Sequence, residues 1–317
     1  MAEMRFTEKR RPGLPLVRRR RIRQNIPLYA MFLPVIAFYF IFKYLPMGYL
    51  SISFFDYKLL KGFSGSKWVG LKNFADFLKG RYFGQTLWNT VALNLMSLVM
   101  VFPAGVILAV LLNEVRSSPL RRVYQTITYL PYFISTVVLV SMITSFLSPS
   151  IGLLASVCKA LGLPVRDYMA QKSAFRMINV LSGIWQNTGW NSIVYLATLT
   201  NIDPTLYEAA TVDGAGRLRR IWHVSLPGLK QIVVLMLIMR IGSLMGTVTD
   251  KVLLLQNDLN LSVSELLGTY VYKMGLQKGK YSFATAVGLF NSVVSFLLVI
   301  SANFVSKRLS DDTHGIF

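Results

Sequence analysis

The sequence predicts an all-α membrane protein with six transmembrane helices. Three observations carry that expectation. Of the 317 residues, 53% are hydrophobic and only 15% are charged, against about 25% charged in soluble domains. Six apolar runs approach the roughly 20 residues that a helix needs to cross the hydrocarbon core. Nine Lys and Arg residues fall within the first 25, including the run Arg-Arg-Arg-Arg-Ile-Arg at 18–23.

The apolar runs lie near 28–50, 87–112, 124–147, 178–200, 229–249 and 282–305. Pro34, Pro46, Pro103 and Pro131 fall inside them. Each removes a helical N–H and predicts a kink that neighbouring helices repair. Six spans place both ends of the chain on one side. The basic tail makes that side the cytoplasm, because cytoplasmic segments carry the excess of Lys and Arg. With these spans, 15 Arg lie inside and three (Arg81, Arg166 and Arg176) outside. The expected organisation is a basic cytoplasmic tail over 1–26, a permeation domain over 27–308 and a cytoplasmic C-terminal tail over 309–317. It is a multi-pass protein of the cell membrane.

The net charge of +20 raises the question of nucleic acid. A basic run directly before a hydrophobic helix reads instead as a cytoplasmic anchor. It is not a cleaved signal peptide, since the apolar run after it is too long and bulky and no small-residue cleavage site closes it. Cys158 is the lone cysteine, and His occurs only at 223 and 314. This excludes an internal disulfide and argues against a Cys or His metal site. Asp311-Asp312 reads as part of a solvated tail. No cofactor is implied.

The longest internal loop, 201–228, is mostly polar. Asp203-Pro204 has the form of a helix start, with Asp as N-cap and Pro at the first helical position. Gly214 permits a tight turn that a Cβ would resist. A second, basic helix, Arg-Leu-Arg-Arg-Ile-Trp-His-Val-Ser at 217–225, is expected to stop near Pro227. The loop therefore predicts a helix, a glycine elbow and another helix at the membrane face.

The spacing is more specific than that. Glu208-Ala209-Ala210, three residues, Gly214, nine residues, Val224, one residue and Leu226-Pro227 resembles the EAA loop of binding-protein-dependent ABC importer permeases, E-A-A-x3-G-x9-I-x-L-P. Val224 in place of Ile is the one departure. The stretches 43–74, 183–210 and 269–304 resemble the carbohydrate-uptake branch, in particular permeases for complex oligosaccharides of the polygalacturonan and alginate type. The resemblance implies a type I ABC importer permease fold. It implies that Glu208, Ala209, Ala210, Asp213, Gly214, Leu226 and Pro227 form a coupling helix docked on a cytoplasmic ATPase. It also implies the partners: a second permease subunit in a heterodimer, two ATP-binding cassette subunits, an extracytoplasmic solute-binding protein and an oligosaccharide substrate, with no nucleic acid.

The chain lacks the G-x4-G-K-[ST] phosphate loop, so ATP hydrolysis falls to separate subunits and the chain is not an enzyme. No Asp or Glu lies in any apolar run. A self-sufficient secondary carrier or channel for polar solutes is the alternative, and a proton- or sodium-coupled carrier usually needs an intramembrane carboxylate or an unwound helix. The candidate substrate pathway is read from polar residues that are costly in lipid: Asn94, Trp185, Asn187, Trp190, Asn191, Arg240 and Asn291. Asn187, Trp190 and Asn191 share one helical face. Aromatic faces suit sugar C–H surfaces, and amides suit hydroxyls. The same residues would serve helix packing equally well.

Overall fold

The computed structural model describes residues 25–246 and 249–309. Most of the expected basic tail, with its 18–23 run, and the tail from 310 onward with Asp311-Asp312 lie outside the described residues. The chain divides into two compact units, Met1–Ile52 and Ser53–Phe317.

In the first unit, α1 covers Ile26–Tyr39, with Pro34 inside it. A π-turn over Phe40–Tyr44 and a short helical piece, Leu45–Met47, prolong it. No described residue of this unit is buried. A helix that is apolar all round needs apolar surroundings, which is how a membrane helix differs from an amphipathic surface helix.

The second unit opens with a two-stranded antiparallel hairpin, β1 (Phe55–Lys58) and β2 (Gly62–Trp68), in register Phe55 opposite Trp68. This corrects the all-α expectation to a mostly helical fold. The hairpin is held by rings: Trp68 stacks on Phe54 at 5.7 Å and meets Phe55 edge-on at 4.9 Å. Asn73, on α2 (Lys72–Leu78), donates to the backbone oxygens of Ser53 and Phe55.

Two long helices form the centre, α3 (Phe83–Asn113) and α7 (Lys172–Thr200), and they share the most extensive packing in the chain. Between them run α4 (Ser118–Tyr129), α5 (Thr136–Leu147) and α6 (Leu153–Ala160). A 3-10 turn over Leu130–Phe133 joins α4 to α5, and the chain bends there by 96°. The kink expected at Pro131 is therefore a break. α7 sits against α4 because Gly189 has no side chain: a Cβ there would collide with the backbone carbonyl of Thr128. Small residues at a helix crossing let backbones approach in this way.

The loop expected over 201–228 contains α8 (Pro204–Val212) and α9 (Arg217–Arg220). Here the expected stop at Pro227 fails. A π-turn over Ile221–Ser225 leads from α9 directly into α10 (Leu226–Gly242), so Arg217–Gly242 is one candidate span of 26 residues. Proline breaks a helix because it lacks an N–H and its ring meets the carbonyl four residues back. In the wider π-turn, the Leu226 N–H bonds to Ile221 O, five residues back, and Pro227 follows at the second position of α10. Pro46 is accommodated identically, after the Phe40–Tyr44 turn. The expected fifth span, 229–249, thus begins earlier and ends at Gly242.

Beyond it come α11 (Thr249–Leu255), α12 (Leu261–Ser264), α13 (Leu267–Tyr272) and α14 (Tyr281–Leu309). Among the described residues, four helices are long and apolar enough to cross a membrane, or five if the bent pair α4–α5 is one span. α7, expected as the fourth span, is long enough at 29 residues but too polar for that count. The core lies in three clusters: around Leu93, Val180 and Val252, around Ala109, Tyr195 and Leu229, and around Phe77, Leu267 and Val287.

The Gly189 crossing is testable. Gly189→Val should force α4 and α7 apart and cost roughly 1–3 kcal/mol, typical of overpacking. The melting temperature of the purified protein should drop by several degrees. An unchanged melting curve would mean that the crossing has slack.

Candidate functional site

Two regions carry unusual chemistry. The first is the elbow between α8 and α9. Asp203 caps α8, its Oδ1 accepting the Thr205 N–H at 2.9 Å. That hydrogen bond holds the exposed Asp203 carboxyl below its ordinary range. At the other end, the Ala215 N–H reaches Ala210 O (2.8 Å) and the Gly214 N–H reaches Thr211 O (3.0 Å). This crossed pair is a Schellman closure. It requires a left-handed residue, and Gly214 supplies φ of 74°. Tyr207 Oη with Ser225 Oγ (3.0 Å), and Arg220 donating to Thr211 Oγ1 (3.2 Å), fasten α8 to the following limb.

The elbow is closed by these hydrogen bonds and largely exposed. Glu208, Ala209, Asp213 and Pro227 are exposed, Ala210 is half-buried, and Leu226 is half-buried against the Leu229 cluster. Large apolar side chains stand free around them: Val212 is 88% exposed, Leu218 73% and Trp222 67%. An ordered, partly apolar protrusion of this kind fits a partner's groove better than bulk water.

The second region is a pair of cavities of about 510 and 320 Å3 that share Val101, Asn191 and Arg240 in their walls. α7 supplies a stripe at four-residue spacing to the larger one: Asn179, Gly183, Asn187 and Asn191. Gln186 also lines it and donates to Ile134 O at 3.0 Å. Asn187 Nδ2 donates to Gly183 O at 2.9 Å. Arg240 donates to Ser97 Oγ at 3.3 Å, bridging α10 to α3. The smaller cavity is more apolar, walled by Phe102, Trp190, Tyr195 and two methionines. Both volumes fall in the range of small-molecule sites, roughly 300–1,000 Å3.

The family model described as "Binding-protein-dependent transport system inner membrane component" matches residues 101–311, which contain the elbow and most of the cavity walls. The chain belongs to this family. The permease is 41% identical over 290 residues to Protein LplB of Bacillus subtilis (strain 168), covering 92% of this chain and 91% of that protein. It is 40% identical to the polygalacturonan/rhamnogalacturonan transport system permease protein YteP of the same organism, covering 92% and 90%. It also matches a chain in the crystal structure of a bacterial alginate ABC transporter in complex with alginate pentasaccharide-bound periplasmic protein. The TM-score is 0.84 at 36% identity, over 94% of this chain and 99% of that one. The permease is accordingly a multi-pass membrane protein.

Of the residues read as a pathway, the structure brings Asn187, Trp190, Asn191 and Arg240 together at the cavities. Trp190 is not wholly free for a sugar, since Tyr132 stacks on it at 4.4 Å with the planes 3° apart. Asn94 is buried and donates to Thr90 O, Trp185 is half-exposed, and Asn291 has a buried Oδ1 without a partner. None of these three lines either cavity. Ser97, Asn179, Tyr132 and Lys251 were missed. The i, i+4 stripe from 179 to 191 was a readable signal for Asn179. Lys251 lies past the fifth apolar run, where a lone Lys carries no signal of burial.

If the elbow depends on the left-handed turn, Gly214→Val should destabilise it locally. A β-branched residue at positive φ costs about 1–2 kcal/mol. Limited proteolysis within 201–216 should then speed up by roughly 5- to 30-fold where opening is at equilibrium. Wild-type cleavage rates would show that the turn does not need glycine.

Proposed function

We propose that this permease is one membrane subunit of an ATP-driven importer and that oligosaccharides delivered by an extracytoplasmic binding protein pass through it. The observation that carries the reading is that one continuous helix, Arg217–Gly242, has the exposed elbow at one end and Arg240, in the wall of both cavities, at the other. A displacement of the elbow therefore reaches the cavity along unbroken helical backbone. Relatives named for polygalacturonan/rhamnogalacturonan and for alginate support a saccharide as the cargo.

In this reading Glu208, Ala209, Ala210, Asp213, Gly214, Leu226 and Pro227 form the coupling segment. The small alanines admit close docking, and Glu208 offers a charge to a cation of the ATPase. ATP binding draws two ATPase subunits together, each carrying one elbow. A second permease subunit completes the pathway as a heterodimer. The chain crosses the membrane six times, with α7 as the polar fourth span shielded from lipid by its neighbours, and both termini are cytoplasmic. Asn187, Trp190, Asn191 and Arg240 line the route. Asn94, Trp185 and Asn291 serve packing.

Glu208→Lys should leave the complex assembled and abolish coupling. In purified complexes, stimulation of ATPase by substrate-loaded binding protein should disappear while basal hydrolysis persists. Wild-type stimulation in this variant would remove the elbow from the coupling role.

Topology gives an independent check. A reporter active only in the cytoplasm should work when fused after Phe317 and fail when fused after Leu60, at the fully exposed hairpin tip. The reverse pattern overturns the six-span arrangement.

A further inference from the structure

The larger cavity collects two cations that form no ion pair among the described residues. Arg240 reaches it from α10, and its one side-chain bond goes to a neutral hydroxyl, Ser97 Oγ. Lys251 reaches it from α11, is only 5% exposed, and gives its Nζ to the backbone oxygen of Asn179 at 2.8 Å. Asp250 is exposed and also lines the cavity, but it pairs with neither. Among the described residues the only salt bridge is Lys273–Glu265, outside this cavity. A buried cation without an anion is costly and uncommon.

The third group is an amide. Asn179 is 6% exposed, lines the same cavity, and has a buried Nδ2 with no hydrogen-bond partner. A buried donor left unsatisfied carries its full desolvation penalty. Guanidinium, ammonium and amide N–H are all donors. Asn179 Nδ2 lacks an acceptor altogether, and Arg240 and Lys251 each have one neutral acceptor, further N–H donors and no paired negative charge. A carboxylate provides both acceptor and charge, with four lone-pair positions on two oxygens.

We propose that Arg240, Lys251 and Asn179 form a carboxylate-binding subsite in the translocation cavity, and that the saccharide carried is an acidic one bearing uronate groups. This rests on the reading of the chain as an oligosaccharide permease and narrows its substrate class. The subsite holds its cargo loosely enough to release it. Arg240 and Lys251 each keep a neutral partner, Ser97 Oγ and Asn179 O, so the vacated state is not wholly unsatisfied. Arg240 stands in both cavity walls, and it can follow a carboxylate from the polar chamber into the aromatic one.

The test uses the complete transporter with its binding protein and ATPases in sealed vesicles. The two probes are trigalacturonate and its fully methyl-esterified form, which has the same sugar skeleton without the charge. Uptake is normalised to assembled complex. The same binding protein serves every variant, so the ratio of variant to wild type for each probe reports on the permease. Lys251→Gln and Arg240→Gln should each lower uptake of the acid by roughly tenfold or more, the effect of one charged hydrogen bond. Ester uptake should change by far less. Lys251→Arg and Arg240→Lys keep the charge and should retain most of the acid uptake. Equal losses for acid and ester in Lys251→Gln would make Lys251 a tether between α11 and α7 and overturn the subsite. Failure of the wild type to import trigalacturonate, while a neutral saccharide on the binding protein still stimulates ATPase, also overturns it but leaves the importer reading standing. If no saccharide stimulates the wild type, the importer reading and the subsite both fall.

Discussion

A bilayer core offers no water to a broken helix, so every backbone group freed by a break must find a protein partner. This constraint explains the placing of the polar side chains on the two central helices. Where the chain bends by 96° after Phe133, the carbonyl of Ile134 is freed, and Gln186 of α7 donates to it. Where the short α12 ends before α13, Asn89 of α3 donates to Ser262 O and Glu265 O, and Gln85 also donates to Ser262 O. Arg176 of α7 in turn holds the oxygen of Asn89 at 3.0 Å. Thr90 accepts the N–H of Leu267. Polar residues that look out of place in apolar runs are here the partners of neighbouring backbone.

The same constraint divides the labour on α7. Gly189 and Gln186 serve the contact with the bent segment. Asn179, Gly183, Asn187 and Asn191 recur every fourth residue and turn a separate strip to the cavity. The helix is too polar to stand alone in lipid, and it does not have to. α3 covers one flank, α4 and its 3-10 extension reach another, and α10 and α11 approach from further round. Selective pathways need such a member, and a helix bundle can hold one only if its neighbours supply the apolar exterior.

Much of this was legible in the chain itself, and the failures have identifiable causes. Asp203-Pro204 starts a helix and Gly214 turns left-handed because those roles are local and depend on residue type alone. The apolar runs located the long helices, since burial in lipid is a property of a window of sequence. The hairpin was missed because its strands are short and held by a cluster of rings that only the fold assembles. The stop at Pro227 was wrong because the rule for proline assumes an α-helical neighbour, and the preceding turn is π. Lys251 was invisible because sequence shows a charge beyond the end of a run and not the carbonyl of Asn179 that waits for it. Asn94, Trp185 and Asn291 were read as pathway on polarity alone, and none of them lines the two cavities described.

The π-turn before Pro227 has a mechanical consequence. Because α9 runs into α10 without a break, the elbow end and Arg240 lie on one lever arm. At 1.5 Å per residue its working length from Arg217 to Arg240 is about 35 Å, and a tilt of about 10° at one end sweeps the other through about 6 Å. That stroke is larger than a hydrogen bond is long. The guanidinium cannot keep its 3.3 Å contact with Ser97 through such a swing unless α3 travels with it. A proline in an ordinary α-helix would have put a soft joint near the fulcrum and absorbed the motion there. Under the proposed coupling, the turn that spares the helix from Pro227 is what carries a small displacement of the elbow into a change of binding partner at Arg240.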